Sequence, residues 1–350
     1  MKYWNSKLKK MTEYIPGEQP ANVEEYTKLN SNENPFPPFK QVLETIKKTA
    51  DEKLRFYPDP NSKSLRETFA KQNRLKSENV FAGNGSDEIF TLIFRGFIEP
   101  GGVAAFPYPS YSLYYTMAEA HGIKYDKINL KKPFDVDFNE FLKKKYELVI
   151  VANPNNPTGR GIETDKIEKF LKKFNGLLVV DEAYVDFYGE SAIDLINEYD
   201  NIIITRSFSK SYSLAGLRIG LAIANSEIIR GLFKLKDSYN LNRISEAAAI
   251  AAVLDNRSFK YNIEMLINNK EYLENQLTML GFETIPSKAN FLFVTHPQVK
   301  AKQIYEELKN KKILVRYFEG PIQADYIRIT VGTMMQIKSL VAELSSIVKV

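Results

Sequence analysis

Short apolar runs that end abruptly in small or polar residues recur along the chain. The runs Val103-Ala-Ala-Phe, Leu148-Val-Ile-Val-Ala, Leu177-Leu-Val-Val and Ile202-Ile-Ile-Thr contain no polar alternation, so they predict strands buried on both faces. Between and before them the apolar period is helical. Val42, Leu43, Ile46 and Ala50 share one face, the apolar residues of 88–97 form a second such stretch, and residues 162–174 form a third. Strands alternating with helices predict an α/β fold with a mostly parallel central sheet between helices, whose ligands lie beyond the carboxyl ends of the strands. Past residues 220–224 the pattern turns largely helical through 246–252 and 261–280. It then yields strand-like pieces at 290–294, 313–316 and 326–330 around a helix near 301–309, which predicts a second, smaller α+β domain. Residues 14–20 and 29–38 are rich in proline and asparagine and predict an irregular, ordered arm. The expected division is an arm over 1–40 that contributes to the small domain and the substrate site, a large domain over 41–255 and a small domain over 256–350.

Length supports two domains, because 350 residues exceed the size at which one core usually stops growing. The net charge of +5 is a mild excess without dense basic blocks, which speaks against nucleic acid as a partner. The absence of cysteine removes disulfides and thiolate chemistry. His121 and His296 are the only histidines, too few for a histidine-rich metal centre, and both read as structural; no metal is expected. No stretch of about 18 apolar residues is present, and the charged N-terminus resembles no secretion signal. The expectation is a soluble, cytoplasmic protein.

The ends of the apolar runs carry the candidate chemistry. The strand from Ile202 runs into Ser207, Ser209 and Lys210, with Arg218 shortly after. A lysine amine among phosphate-binding hydroxyls and a guanidinium fork suits a Schiff base to pyridoxal phosphate, although the same lysine could be an ordinary surface residue. Gly85, Ser86 and Asp87 open an apolar helix, where free N–H groups and the helix dipole favour a phosphate; an ordinary capped helix start reads the same way. Tyr108 and Tyr111 follow one strand, placed to stack on a flat ring or to pack in the core. Asn156 and Asp181 end two more. Tyr57 lies between stiff proline-bounded turns. Arg316 and Arg328 lie among strand-like apolar residues, so each should meet either a bound anion or an acidic side chain.

Together, several longer strings are specific enough to name a family. They include Leu29-Asn-Ser-Asn-Glu-Asn-Pro, Tyr57-Pro-Asp-Pro, Gly83-Asn-Gly-Ser-Asp-Glu, Asn153-Pro-Asn-Asn-Pro-Thr-Gly and Asp181-Glu-Ala-Tyr. Ser207-Phe-Ser-Lys-Ser-Tyr-Ser-Leu-Ala-Gly-Leu-Arg, Asp237-Ser-Tyr-Asn and Arg328-Ile-Thr-Val-Gly complete the set. The chain resembles the fold-type I pyridoxal-phosphate aminotransferases and, among them, the histidinol-phosphate aminotransferase group. That resemblance implies that Lys210 binds the cofactor and moves the substrate proton, that Asp181 pairs with the pyridine nitrogen, and that Asn156 and Tyr184 bond the ring oxygen. Tyr111 would stack on the ring. Gly85, Ser86, Asp87, Ser207, Ser209 and Arg218 would hold the phosphate, and Tyr57 would reach it from a neighbouring subunit of a homodimer. Arg328, Arg316, Tyr14 and Asn156 would bind substrate. The implied reaction converts L-histidinol phosphate and 2-oxoglutarate to imidazole acetol phosphate and L-glutamate in histidine biosynthesis. Threonine-phosphate decarboxylases, which resemble this group in fold, lysine and phosphate grip, and broad aromatic aminotransferases stand as alternatives. A cofactor-sensing regulator would need a DNA-binding domain, for which the roughly twenty residues before the arm's family-like strings are too few.

Overall fold

A computed structural model describes residues 2–5, 8–9, 11 and 13–348. Its centre is a seven-stranded sheet in the order Val80–Gly83, Gly220–Ile223, Ile202–Ser207, Leu177–Asp181, Leu148–Ala152, Val103–Tyr108 and Lys124–Asn129. All neighbours run parallel except Gly220–Ile223, which is antiparallel to both of its partners. The unbroken apolar runs follow from this burial. Val149, Val151, Leu178, Val180, Ile202 and Ile204 point to one face, where they pack with Val42, Leu65, Phe69, Phe170 and Ala248 of the helices on that side. Leu148, Ile150, Val179 and Ile203 point to the other, against Ile89, Phe90, Tyr114 and Ile228. Alternate residues of one strand therefore serve two cores, and no position is left to face water.

A third core joins Leu266, Leu273 and Leu277 of the helix Asn256–Met279 to Phe291, Ile304, Ile327, Ile329 and Leu340. It surrounds a four-stranded antiparallel sheet of Arg316–Tyr317, Ile327–Thr330, Phe291–Thr295 and Glu283–Ile285. Leu29 of the arm and Tyr184 and Phe187 of the large sheet's loops enter this same core. The expected division after residue 255 falls in the turn between the helices Arg243–Leu254 and Asn256–Met279.

Some elements differ from the pattern reading. The piece expected over 313–316 is two strands: Ile313–Leu314 pairs in parallel with Thr27–Lys28 of the arm, whereas Arg316–Tyr317 pairs with Ile327–Thr330. Val315 turns the chain between the two sheets. The edge strand Lys124–Asn129 was invisible because it is half exposed and mostly polar. The helix Met334–Val348 also emerges only in the fold, where Ile337, Leu340 and Leu344 complete the third core.

Candidate active site

A cavity of about 510 Å³ opens at the carboxyl ends of the central strands. Ser86, Asp87, Tyr111, Asn156, Asp181, Tyr184, Ser207, Ser209, Lys210 and Arg218 line it, and Tyr14, Arg316 and Arg328 close it from the arm and the small sheet. Gly85 begins the helix at its edge. Tyr57 lies apart from it: its ring is 78% exposed and stacks on Tyr239 with centroids 4.2 Å apart.

Lys210 follows the strand Ile202–Ser207, and its Nζ donates to the Ser31 carbonyl at 3.1 Å. Among the described residues no carboxylate forms an ion pair with it. Burial, assisted by the positive charge of Arg328, pulls its amine down to about 8. A lysine so placed is neutral often enough near pH 8 to act as nucleophile and base.

Asp181 closes the neighbouring strand. Its carboxylate accepts the Tyr114 hydroxyl at 2.6 Å, the Thr205 hydroxyl at 3.1 Å and the Ala183 N–H at 3.2 Å. Burial pushes the carboxyl up, and the bonds from Tyr114 and Thr205 oppose that push. Tyr114 is fully buried and its phenol is held well above the ordinary range, first by burial and then by Asp181. Sequence reading missed Tyr114, which resembles any core aromatic of an apolar helix; its spacing from Tyr111, one helical turn away, was the available signal. Tyr111 stands edge-on to both Tyr114, at 5.5 Å, and Tyr14, at 6.2 Å.

The helix Gly85–Gly96 points its N-terminus at the cavity, and the Asn84 side chain does not cap it. Its first N–H groups and dipole are thus free for an anion. Arg218, in left-handed backbone at φ 53°, reaches across so that its Nη2 lies 2.9 Å from Asp87 Oδ2. Two glycines permit the close approach. A Cβ on Gly85 would come within 2.8 Å of Arg218 Nη2, and one on Gly220 within 2.4 Å of the Ser86 nitrogen. This cradle of backbone amides, Ser207 and Ser209 hydroxyls and one guanidinium has the donor set for a phosphate monoester.

At the opposite end Arg328 is buried on the strand Ile327–Thr330. Its Nη1 donates to Asn156 Oδ1 at 2.5 Å and its Nη2 to the Asn30 carbonyl at 2.7 Å, while Nε has no hydrogen-bond partner among the described residues. Burial draws its guanidinium down to about 10, and Arg316 adds to the effect. Arg316 is its direct cross-strand neighbour, and its two terminal nitrogens donate to the carbonyls of Ile15 and Pro16 at 3.0 Å each. Of the two readings the sequence left open for these arginines, the acidic partner is absent: among the described residues neither forms an ion pair with a carboxylate. Two guanidiniums facing one another in a sheet repel, and a bound anion relieves that repulsion. His121 and His296 bond backbone carbonyls; His121 stacks on Phe94 and His296 stands edge-on to Phe282, and neither lines the cavity.

Comparison with known proteins agrees with this arrangement. The family described as aminotransferase class I and II matches residues 24–344. The histidinol-phosphate aminotransferase of Clostridium botulinum (strain Okra / Type B1) is 40% identical to this chain over 351 residues, covering 99% of each. The crystal structure of histidinol-phosphate aminotransferase from Sinorhizobium meliloti in complex with pyridoxal-5'-phosphate superposes with a TM-score of 0.92 at 24% identity, covering 100% of this chain and 98% of that one. The L-threonine-O-3-phosphate decarboxylase of Porphyromonas gingivalis also shares the fold, with a TM-score of 0.80 at 21% identity over 92% of this chain and 99% of that one, so the fold alone does not select the reaction. By the family match and the full-length relative, the chain belongs to the class I and II aminotransferases.

Proposed function

We propose that the protein is a pyridoxal-phosphate-dependent transaminase that exchanges the amino group of L-histidinol phosphate with 2-oxoglutarate, yielding imidazole acetol phosphate and L-glutamate, in histidine biosynthesis. The observation that carries the substrate assignment is the pair of arginines at one end of the cavity: among the described residues Arg328 is buried with an unsatisfied Nε, Arg316 lies beside it, and neither is matched by a carboxylate. Both amino donors bear an anion next to the reacting carbon: a carboxylate in glutamate and a phosphomethylene group in histidinol phosphate. One guanidinium fork suits either, and the second extends the grip to the larger dianion.

When bound, pyridoxal phosphate supplies a carbonyl carbon that accepts the amino group and a ring that withdraws electrons from the substrate's α-carbon. The protein's residues supply the rest. The cradle at Gly85, Ser86, Asp87, Ser207, Ser209 and Arg218 holds the phosphate. Asp181 keeps a proton on the pyridine nitrogen, with Tyr114 and Thr205 holding its carboxylate in line. Asn156 gives its amide oxygen to Arg328, which leaves its amide hydrogens for the ring oxygen, and Tyr184 adds a hydroxyl. Tyr111 covers the ring face. Lys210, once free, carries a proton to and from the α-carbon. Tyr14 stands edge-on to Tyr111 and borders the same cavity.

The assembly that fits is a homodimer in which Tyr57, exposed on its own subunit, reaches the phosphate of the neighbour; the exposed Leu54, Phe56 and Tyr239 around it suit such an interface. The division that goes with this reading is an arm over 1–40, a large domain over 41–255 and a small domain over 256–350, and the working compartment is the cytoplasm. Among the described residues no helix is long and apolar enough to cross a membrane, and no cluster of three or more histidine or carboxylate side chains is placed to hold a metal ion. Steady-state kinetics with histidinol phosphate, phenylalanine, tyrosine and threonine phosphate, each with 2-oxoglutarate, test the reading. The expected outcome is the highest kcat/KM for histidinol phosphate and no carbon dioxide from threonine phosphate. Rapid carbon dioxide release, with histidinol phosphate inert, would move the protein to the lyases.

A further inference from the structure

The arm string that begins at Leu29 touches the site through three successive residues. The Asn30 carbonyl accepts from Arg328, the Ser31 carbonyl accepts from Lys210, and the Asn32 side-chain amide donates to the Tyr184 hydroxyl oxygen. Asn32 is 1% exposed and lies in left-handed backbone at φ 55°, a conformation asparagine tolerates better than most residues. Four hydrogen bonds fix it. Its N–H donates to Thr330 Oγ1 at 3.0 Å, the Thr330 hydroxyl donates back to Asn32 Oδ1 at 3.1 Å, and its carbonyl accepts Asn290 Nδ2 at 3.1 Å. The fourth runs from Asn32 Nδ2 to the Tyr184 hydroxyl oxygen at 2.9 Å.

The reciprocal pair with Thr330 sets which end of the amide faces which neighbour. With Oδ1 turned to the threonine hydroxyl, the amide nitrogen meets Tyr184 as a donor. The tyrosine oxygen therefore already receives a hydrogen. Among the described residues its own hydrogen has no acceptor, and Tyr184 borders the cavity. Phe291 holds the ring edge-on at 5.2 Å, which restricts its movement.

We propose that Asn32 is a positioning residue that commits the Tyr184 hydroxyl to donate into the cavity. The inference rests on the assignment of Tyr184 to the cofactor's ring oxygen made above. A hydroxyl that accepts one hydrogen bond donates a stronger one, by roughly a tenth to a third in condensed-phase chains. The Asn32 bond also opposes the rise that burial imposes on the Tyr184 phenol. Asn32 thereby ties the polarity of one catalytic hydroxyl to the arm and, through Thr330 and Asn290, to the small sheet.

The test is the pH midpoint of the visible absorbance band of the pyridoxal-phosphate-loaded protein, read in a double-mutant cycle of Asn32→Gly and Tyr184→Phe. Glycine keeps the left-handed backbone and removes the amide. Losing a donor to an anionic ring oxygen favours its protonated form, so Tyr184→Phe is expected to raise the midpoint by about one pH unit or more. Asn32→Gly should raise it by roughly a tenth to a third as much, and by nothing in the Tyr184→Phe background. No shift from Asn32→Gly, or an equal shift in both backgrounds, overturns the proposal. If the glycine variant does not fold, Asn32→Asp decides: its carboxylate takes the tyrosine hydrogen away from the cavity, while its charge acts in both backgrounds. An excess upward shift in the Tyr184 background supports the proposal, and equal shifts overturn it. An unmoved midpoint in Tyr184→Phe removes Tyr184 from the ring oxygen and the inference with it, whereas a protein that takes up no cofactor at all removes the functional reading itself.

Discussion

The two ends of the cavity offer positive charge to an anion in different ways. At the helix end, positive potential comes from backbone N–H groups, and the single guanidinium, Arg218, is half exposed and already paired with Asp87. At the small-sheet end, Arg328 is buried beside Arg316 and, among the described residues, has no acidic partner. An internally balanced, solvated cradle is stable whether filled or empty and suits a group that stays. A buried, unbalanced guanidinium is costly when empty, and its attraction for an incoming anion is correspondingly strong. It suits a ligand that arrives and leaves in every cycle.

Lys210 lies between these ends, and its replacement should produce the largest effect. Lys210→Ala is expected to lower single-turnover transfer by roughly 10⁴-fold or more, while cofactor and substrate still bind at their two ends. Appreciable transamination by this variant would remove the proton-carrying role from Lys210. Arg328→Ala should follow, reducing kcat/KM for both amino donors by roughly a hundredfold, because both place an anion there. The same variant carries a pH signature. Arg328 helps hold the Lys210 amine at about 8, so without that charge the amine titrates at higher pH. The pH profile for acylation of Lys210 in the cofactor-free protein should move upward; an unmoved profile would uncouple the two residues.

Arg316→Ala should divide the donors. Only the phosphate dianion is large enough to use the additional fork, so kcat/KM for histidinol phosphate should fall roughly tenfold to a hundredfold while the glutamate half-reaction changes little. Equal losses would take the phosphate role from Arg316. The smallest effect is expected at the other end: Arg218→Ala should raise the dissociation constant for pyridoxal phosphate by about tenfold at low salt, and by less as salt screens a partly exposed charge. An effect on cofactor affinity larger than that of Arg328→Ala on substrate would reverse the contrast between the two ends.

The strands that carry the chemistry were legible because sheet burial leaves a signature in every residue: Leu148–Ala152 and Leu177–Asp181 have the bounds their apolar runs predict. Lys210, Asp181, Asn156 and Arg218 were legible because small and polar residues interrupt those runs where the sheet ends. Partnerships were not. Nothing in the run from Leu113 to His121 announces that Tyr114 bonds a carboxylate on another strand, since a buried tyrosine looks the same whether or not its hydroxyl is engaged. The opposed placement of Arg316 and Arg328 depends on antiparallel register, which single-strand patterns do not encode. The arm's contacts with Lys210, Tyr184 and Arg328 join residues far apart in sequence and emerge only when both sheets are in place.

The antiparallel strand Gly220–Ile223 secures the edge strand Val80–Gly83 to the rest of the sheet, with Gly83 opposite Gly220. The same Gly220 forms the floor beneath Ser86. The phosphate cradle is therefore assembled by the event that completes the sheet, and occupancy of the cradle and closure of that edge become one linked equilibrium. A phosphate ester seated there acts as a clasp across the last seam of the large sheet, and the amides of Val80–Gly83 should exchange with solvent more slowly once it is fastened.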